Sequence, residues 1–168
     1  MKTVRLLRHA KSDWQTPFTH DHERGLNARG INATKVMAPF INSSFSPETA
    51  IFTSSAMRAQ LTLSYISQHN PHSTLAPNWL VEKALYTFES NTLLNWLRLL
   101  DECYQDVCIV GHNPALTELA NELSDKAIVN LPTCGYVVLS CDINSWQELA
   151  AGCAKTVSYL TPKLAKKG

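Results

Sequence analysis

Apolar residues along the chain fall into two alternating patterns, short β-compatible runs and longer stretches with helical spacing. Thr3 to Leu7 reads as a buried strand running into a polar loop, Arg8-His9-Ala10-Lys11-Ser12-Asp13. A helix is expected from about Asn27 to Ala38, with Ala33, Val36 and Met37 on one side, Ile31 outside that stripe, and Pro39 ending or kinking it. Ala50 to Thr53 reads as a second strand. Ser54-Ser55 then offers N-cap residues for a helix from about Ala56 to Gln68, in which Met57, Leu61 and Tyr65 recur at i, i+4 and i+8. Two prolines and polar neighbours mark Asn70 to Pro77 as a loop.

A third helix is expected from Thr92 to Cys103, where Leu93, Leu94, Leu97 and Leu100 supply an apolar face. Val107 to Val110 carries the clearest buried-strand pattern, and Gly111-His112-Asn113-Pro114 follows it directly. Pro114 suits the first position of a helix with Asn113 as its N-cap, continuing through Leu116, Leu119, Ala120 and Leu123. Pro132 and Gly135 bracket a turn, after which Tyr136 to Cys141 and roughly Thr156 to Leu160 read as two late strands.

Strands alternating with helices imply a three-layer α/β/α sandwich with a mostly parallel central sheet, residues 1–168 forming a single domain. Ligands of such folds bind outside the carboxyl ends of the strands. Three of the expected strand-to-helix junctions carry Arg8-His9, Arg58 and His112, far apart in sequence but able to meet at one edge.

The composition narrows the class. With 168 residues, 45% hydrophobic and 17% charged, the chain is long enough for a full hydrophobic core without staples, which excludes a disordered tail or a collagenous repeat. Lys+Arg 15 against Asp+Glu 14 leaves +1, with the cations scattered apart from Lys163, Lys166 and Lys167, so neither nucleic acid nor a membrane surface is expected as a partner. Those lysines read most simply as a solubilising tail. Five cysteines, an odd number, read as reduced thiols of a cytoplasmic protein. The run Val4 to Leu7 is broken by Arg5 and too short for a signal-peptide core, and no apolar stretch is long enough to span a bilayer.

Two arginines and two histidines at one edge make a cationic cup suited to a phosphoryl group. Arginine forks bind phosphate oxygens bidentately and keep their charge, and a helix N-terminus after Asn113 adds amide donors. A neutral imidazole in such a cup is a competent nucleophile toward phosphorus, and neighbouring positive charge keeps it neutral.

Leu6-Leu7-Arg8-His9-Ala10-Lys11-Ser12 resembles the Arg-His-Gly signature of the histidine phosphatase superfamily, particularly its small SixA-like phosphohistidine phosphatase branch. Three further blocks are similar and follow in order: Asp21 to Gly30, Thr53 to Thr62, and Ile109 to Pro114. The resemblance covers most of the chain. It implies a phosphoglycerate mutase-like sandwich in which His9 is the transiently phosphorylated nucleophile. Arg8, Arg58 and His112, with Asn113 at the third junction, would bind the phosphoryl group and stabilise its equatorial oxygens. Leu80 to Tyr86 is similar to the segment that supplies a general acid in ester-cleaving members, which makes Glu82 a candidate that bears on substrate choice. Ala10 stands where Gly is frequent in the superfamily, and Gln15 lies near a position where sugar-phosphate mutases tend to carry Asn.

Simpler readings compete at several positions. A lone histidine at a strand end is more often structural than catalytic, and an exposed Glu82 on a loop is the ordinary alternative to an acid. Cys103, Cys108 and His112 invite a zinc site, but Cys-x4-Cys-x3-His lacks a fourth ligand, so no metal is expected. No Gly-rich nucleotide fingerprint is present and no cofactor is expected. His20, His22, His69 and His72 read as solvated loop residues, with His20 and His22 able to line the mouth of a pocket.

The implied function is a metal-independent phosphatase with a phosphohistidine intermediate, whose partner is a phosphohistidine-bearing protein or a small phosphorylated substrate. A small-metabolite phosphomonoesterase, a mutase and a non-catalytic phosphoprotein-binding module are the alternatives.

Overall fold

The computed structural model describes residues 1–17, 19–69 and 78–168. The expected loop Asn70 to Pro77, with His72 in it, therefore lies outside the described residues. A six-stranded sheet runs in the order β3-β2-β4-β1-β5-β6, built from β1 (Lys2–Arg8), β2 (Ala50–Ser54), β3 (Trp79–Glu82), β4 (Asp106–Gly111), β5 (Tyr136–Cys141) and β6 (Ala154–Leu160). The first four strands are mutually parallel, β5 runs against β1, and β6 runs against β5. Every strand but β5 thus points the same way, which is the mostly parallel sheet that the alternating pattern implied.

Side-chain alternation along the strands divides the core into two layers. Val4, Leu6, Val107 and Ile109 face α3 (Ser90–Arg98) and α4 (Ala115–Leu123) through Leu94, Leu97, Leu116 and Leu119. Leu7, Cys108 and Val110 face the other layer, α1 (Ala28–Ser44), α2 (Met57–Gln68) and the short α5 (Pro162–Ala165), through Met37, Ile41, Leu63, Ile66 and Ala165. Each such side chain taken out of water contributes about 1.5–3 kcal/mol. Among the described residues no helix is long and apolar enough to cross a membrane.

The structure corrects the expected elements where burial and local polarity compete. Helix α1 passes through Pro39 and continues to Ser44. Proline there forgoes one backbone bond, but Ile41 is sealed in the core beyond it and the buried Asn42 amide donates to the Ile66 carbonyl, so tertiary contacts hold the last turn. On α2 the buried face is Arg58, Ala59, Thr62, Leu63 and Ile66, whereas Met57 is 44% exposed. The expected Met57–Leu61–Tyr65 stripe is displaced because two polar residues occupy the inner face. Ala56 holds the N-cap of α2, and Ser54 Oγ accepts the Ala56 N–H from outside the helix.

Helix α3 stops at Arg98, short of Cys103, because the Asp101 carboxylate accepts the Cys103 N–H and starts a turn. Strand β3 carries no signal in the sequence: it is a short edge strand with Leu80 and Val81 exposed, so no buried alternation marks it.

From β1 the chain moves outward to β2 and β3 and then returns to β4, inserted between β2 and β1. The order reverses between β1 and β4, and a crevice opens at the carboxyl ends of two such strands. Arg8 and Gly111 pair in register at that edge, and His9 N–H donates to the Gly111 carbonyl.

Candidate active site

His9 follows β1 and His112 follows β4, so both imidazoles enter the crevice, their ring centroids 5.2 Å apart. Both residues are buried, at 7% and 1% exposure. Arg58 enters from the first turn of α2 on its buried face. Its Nε lies 3.4 Å from His9 Nε2 and its Nη2 3.3 Å from His112 Nδ1.

The hydrogen bonds fix the tautomers. His9 Nδ1 lies 2.7 Å from the Ala10 carbonyl, an acceptor only, so Nδ1 carries the proton and Nε2 holds the lone pair toward Arg58. At His112 the Arg58 guanidinium donates to Nδ1, so Nε2–H donates to Ser54 Oγ at 2.7 Å. Burial, chiefly, pushes His9 down to about 4, assisted by Arg58 and Arg8 and opposed by the Ala10 carbonyl. His112 is pushed down to about 3 by burial, then by His9 and Arg58. Both rings are therefore neutral at neutral pH.

Arg8 Nη1 donates to the Leu131 carbonyl at 3.0 Å, while its buried Nε has no partner among the described residues. Arg8 makes no ion pair among the described residues. Burial and the Arg58 charge both lower its proton affinity. Two guanidiniums held in one crevice, one of them without a counter-ion, form a site that an anion would relieve.

Thr62 locks the two sides together. Its Oγ1 accepts the Ala10 N–H at 2.9 Å and donates to the Arg58 carbonyl at 2.7 Å, tying the backbone beside His9 to the helix that carries Arg58. On the other flank Cys134, at φ 60, donates its N–H to both the Arg8 and the His9 carbonyls. Its thiol is pushed up to about 12 by burial and is therefore inert at neutral pH.

No protein-family model matches the chain. An uncharacterized chloroplastic protein of Arabidopsis thaliana is 29% identical over 155 residues, 87% of this chain and 69% of that protein. Among solved structures, SixA from Agrobacterium tumefaciens is 24% identical with a TM-score of 0.74, covering 96% of this chain and 98% of that one. The protein histidine phosphatase SixA complexed with tungstate is 18% identical with a TM-score of 0.76, covering 96% and 97%. The fold is the one that these two SixA structures share.

Within this fold Arg8, His9, Arg58 and His112 come together in one crevice, whereas the side-chain bonds of Asn113 are made elsewhere. The Asn113 amide donates to Asn130 Oδ1 and the Leu131 carbonyl, and its Oδ1 accepts from the Thr117 N–H and hydroxyl. Its carboxamide is occupied, and Asn113 caps α4 from outside while Pro114 takes the N-cap itself. The next helical amides are also bound, Leu116 to His112 O and Glu118 to Pro114 O. Asn113 therefore braces the Leu131 carbonyl that receives Arg8. Glu82 ends β3 in register with Ser54, on the same edge and one strand beyond the serine that holds His112, and its carboxylate makes no ion pair with a described residue.

Sequence reasoning missed Asp21 and Tyr86. The Asp21 carboxylate and carbonyl both receive Arg58, and the Tyr86 hydroxyl donates to that carboxylate. Burial acts to raise Asp21, but Tyr86 and Arg58 outweigh it and hold the carboxyl below its usual value. Tyr86 also packs edge-on against His112 and His22, and His22 bonds Ser55, so this loop lies at the mouth of the crevice. Asp21 stood inside a recognised block, yet an aspartate beside a 3-10 turn carries no local signal of an arginine 37 residues away. Cys103 is exposed and Cys108 sealed in the core beside β1, so the cysteines of the zinc reading point to different surroundings.

Proposed function

We propose that the protein is a metal-independent phosphatase that acts through a phosphohistidine at His9, with phosphohistidine on a protein as its favoured substrate. The observation that carries this reading is the His9 imidazole: neutral, with its Nε2 lone pair turned toward Arg58 and its Nδ1 proton held by the Ala10 carbonyl. Such a nitrogen needs no base to activate it.

His9 Nε2 attacks phosphorus, forming an N–P bond as the P–N bond to the substrate imidazole breaks. The protonated phosphoramidate supplies a good leaving group. Water then attacks phosphorus, the N–P bond to His9 breaks, and inorganic phosphate leaves. Arg8 and Arg58 neutralise the equatorial oxygens with guanidiniums held in place before the phosphoryl group arrives. His112, neutral and accepting from Arg58 at Nδ1, holds that guanidinium toward the phosphoryl oxygens. The SixA structure of similar fold complexed with tungstate supports the reading, since tungstate is a tetrahedral oxyanion like phosphate.

Phosphate release from a phosphohistidine-bearing protein and from an aryl phosphate, each against His9→Ala, tests the reading. Preferential, His9-dependent release from phosphohistidine is expected, unchanged by EDTA. Preference for the ester would favour a metabolite phosphomonoesterase, the reading that the position of Glu82 beside Ser54 supports. In that case Glu82→Gln slows ester hydrolysis strongly and phosphoramidate hydrolysis little.

A further inference from the structure

Lys163, Lys166 and Lys167 are no free tail. Residues Pro162–Ala165 form α5, and Ala165 is buried with Met37 and Ala38 of α1. Because β6 runs in the direction of β1, α5 leaves the sheet at the same carboxyl edge as His9. Two adjoining cavities of about 360 and 680 Å³ lie there, sharing Arg29, Thr133, Pro162 and Lys166, with Lys11 at one end and Lys163 and Lys167 at the other.

Neither cavity is lined by an Asp or Glu. None of the five cations makes an ion pair with a described residue. In a chain with 15 Lys+Arg against 14 Asp+Glu this is a marked local imbalance, invisible in sequence because Lys11 and Arg29 stand far from the three lysines along the chain. Gly30 makes that approach possible: a Cβ there would lie 2.3 Å from the Lys11 carbonyl, so only a bare backbone lets α1 bring Arg29 beside Lys11. The groove is joined to the crevice through neighbouring residues of the chain. Lys11 lies two residues beyond His9, and Thr133 precedes the Cys134 N–H that holds the Arg8 and His9 carbonyls.

We propose that this basic groove docks an acidic segment of the protein that carries the phosphoryl group, guiding its phosphohistidine to His9. The inference rests on the phosphohistidine reading above. A concave groove fits an extended chain, whereas a bilayer presents a flat face. Tyr159 is the one ring in the lining, so a stacking platform for bases is lacking among the described residues. Asn130 and Thr133 add hydrogen-bonding groups for a peptide backbone. Cations around a cleft raise local substrate concentration and on-rate by about ten- to a thousandfold, an effect that salt suppresses.

The test compares a phosphohistidine peptide flanked by glutamates with the same peptide flanked by alanines. The wild type is compared with an Arg29→Glu, Lys163→Glu, Lys166→Glu triple variant, all three positions being exposed. The wild type is expected to favour the glutamate peptide in kcat/KM by about tenfold at low salt, and less as salt rises. The triple variant is expected to lose that preference while hydrolysing free phosphohistidine at the wild-type rate. Equal treatment of the two peptides by the wild type, or an undiminished preference in the variant, overturns the proposal.

Fluorescence anisotropy with the unphosphorylated glutamate peptide reads the groove independently of turnover. If the wild type hydrolyses neither peptide, the phosphatase reading fails. The groove assignment then stands if the wild type binds the glutamate peptide more tightly than the variant, and falls if the two bind alike. Tighter binding of anionic vesicles or of an oligonucleotide than of the glutamate peptide also overturns it.

Discussion

The Arg58 Nε lies 3.4 Å from His9 Nε2, the ring nitrogen that holds the lone pair. The same guanidinium reaches His112 and is held from behind by the Asp21 carbonyl and carboxylate. Its fork is thus oriented before any phosphoryl group arrives, and an ammonium cannot reproduce that geometry. Arg58→Lys is expected to lower kcat by about a hundred- to a thousandfold with the fold intact. Steady-state kinetics with circular dichroism checks this, and a loss under tenfold would count against bidentate binding.

Depression of both histidines has a signed consequence. Below pH 6.5 the unfolded chain takes up protons at His9 and His112, whereas folded His9 remains neutral down to about 4 and His112 to about 3. The unfolded state binds more protons over that window, so stability is full above about 6.5 and declines as the pH falls toward 3. Urea unfolding at a series of pH values is expected to show this slope, reduced in His112→Gln. Activity follows the same groups: the acid limb of kcat/KM for a substrate that does not itself titrate there falls near pH 4. A limb near 6.5 would mean that His9 is not held neutral by its surroundings.

Thr62 is the joint between the backbone beside His9 and the helix that carries Arg58. Thr62→Val keeps the shape, removes both bonds, and leaves the buried Ala10 N–H without its partner, which costs about 1–3 kcal/mol. A melting temperature lower by several degrees is expected. Because the His9 and Arg58 backbones are no longer tied, kcat should fall more than KM rises. Unchanged melting and unchanged kcat together would remove Thr62 from this role.

What could be read from sequence depended on whether a residue's neighbours were local. The run Tyr136 to Cys141 is apolar enough that its limits as a strand coincide with those of β5. The junctions after β1 and β4 were legible because buried strands run straight into Arg8-His9 and His112. Helix α2 misled because its inner face carries Arg58 and Thr62, residues that a hydrophobic stripe assigns to solvent. Strand β3 was obscured by its edge position, and Asp21 by an interaction that exists only once α2 is packed. The lysines near the carboxyl end looked like a solvated tail because their partners in the groove, Lys11 and Arg29, stand far away in the chain.

In the proposed mechanism phosphorus is carried on His9. Rapid quenching into base during turnover of a phosphohistidine peptide, followed by mass spectrometry of the fragment spanning His9, tests it directly. A transient, acid-labile phosphoryl group is expected on His9, and none in a folded His9→Ala variant that releases no phosphate. Phosphate release by His9→Ala at the wild-type rate, or a phosphoryl group trapped on any other residue, would contradict it.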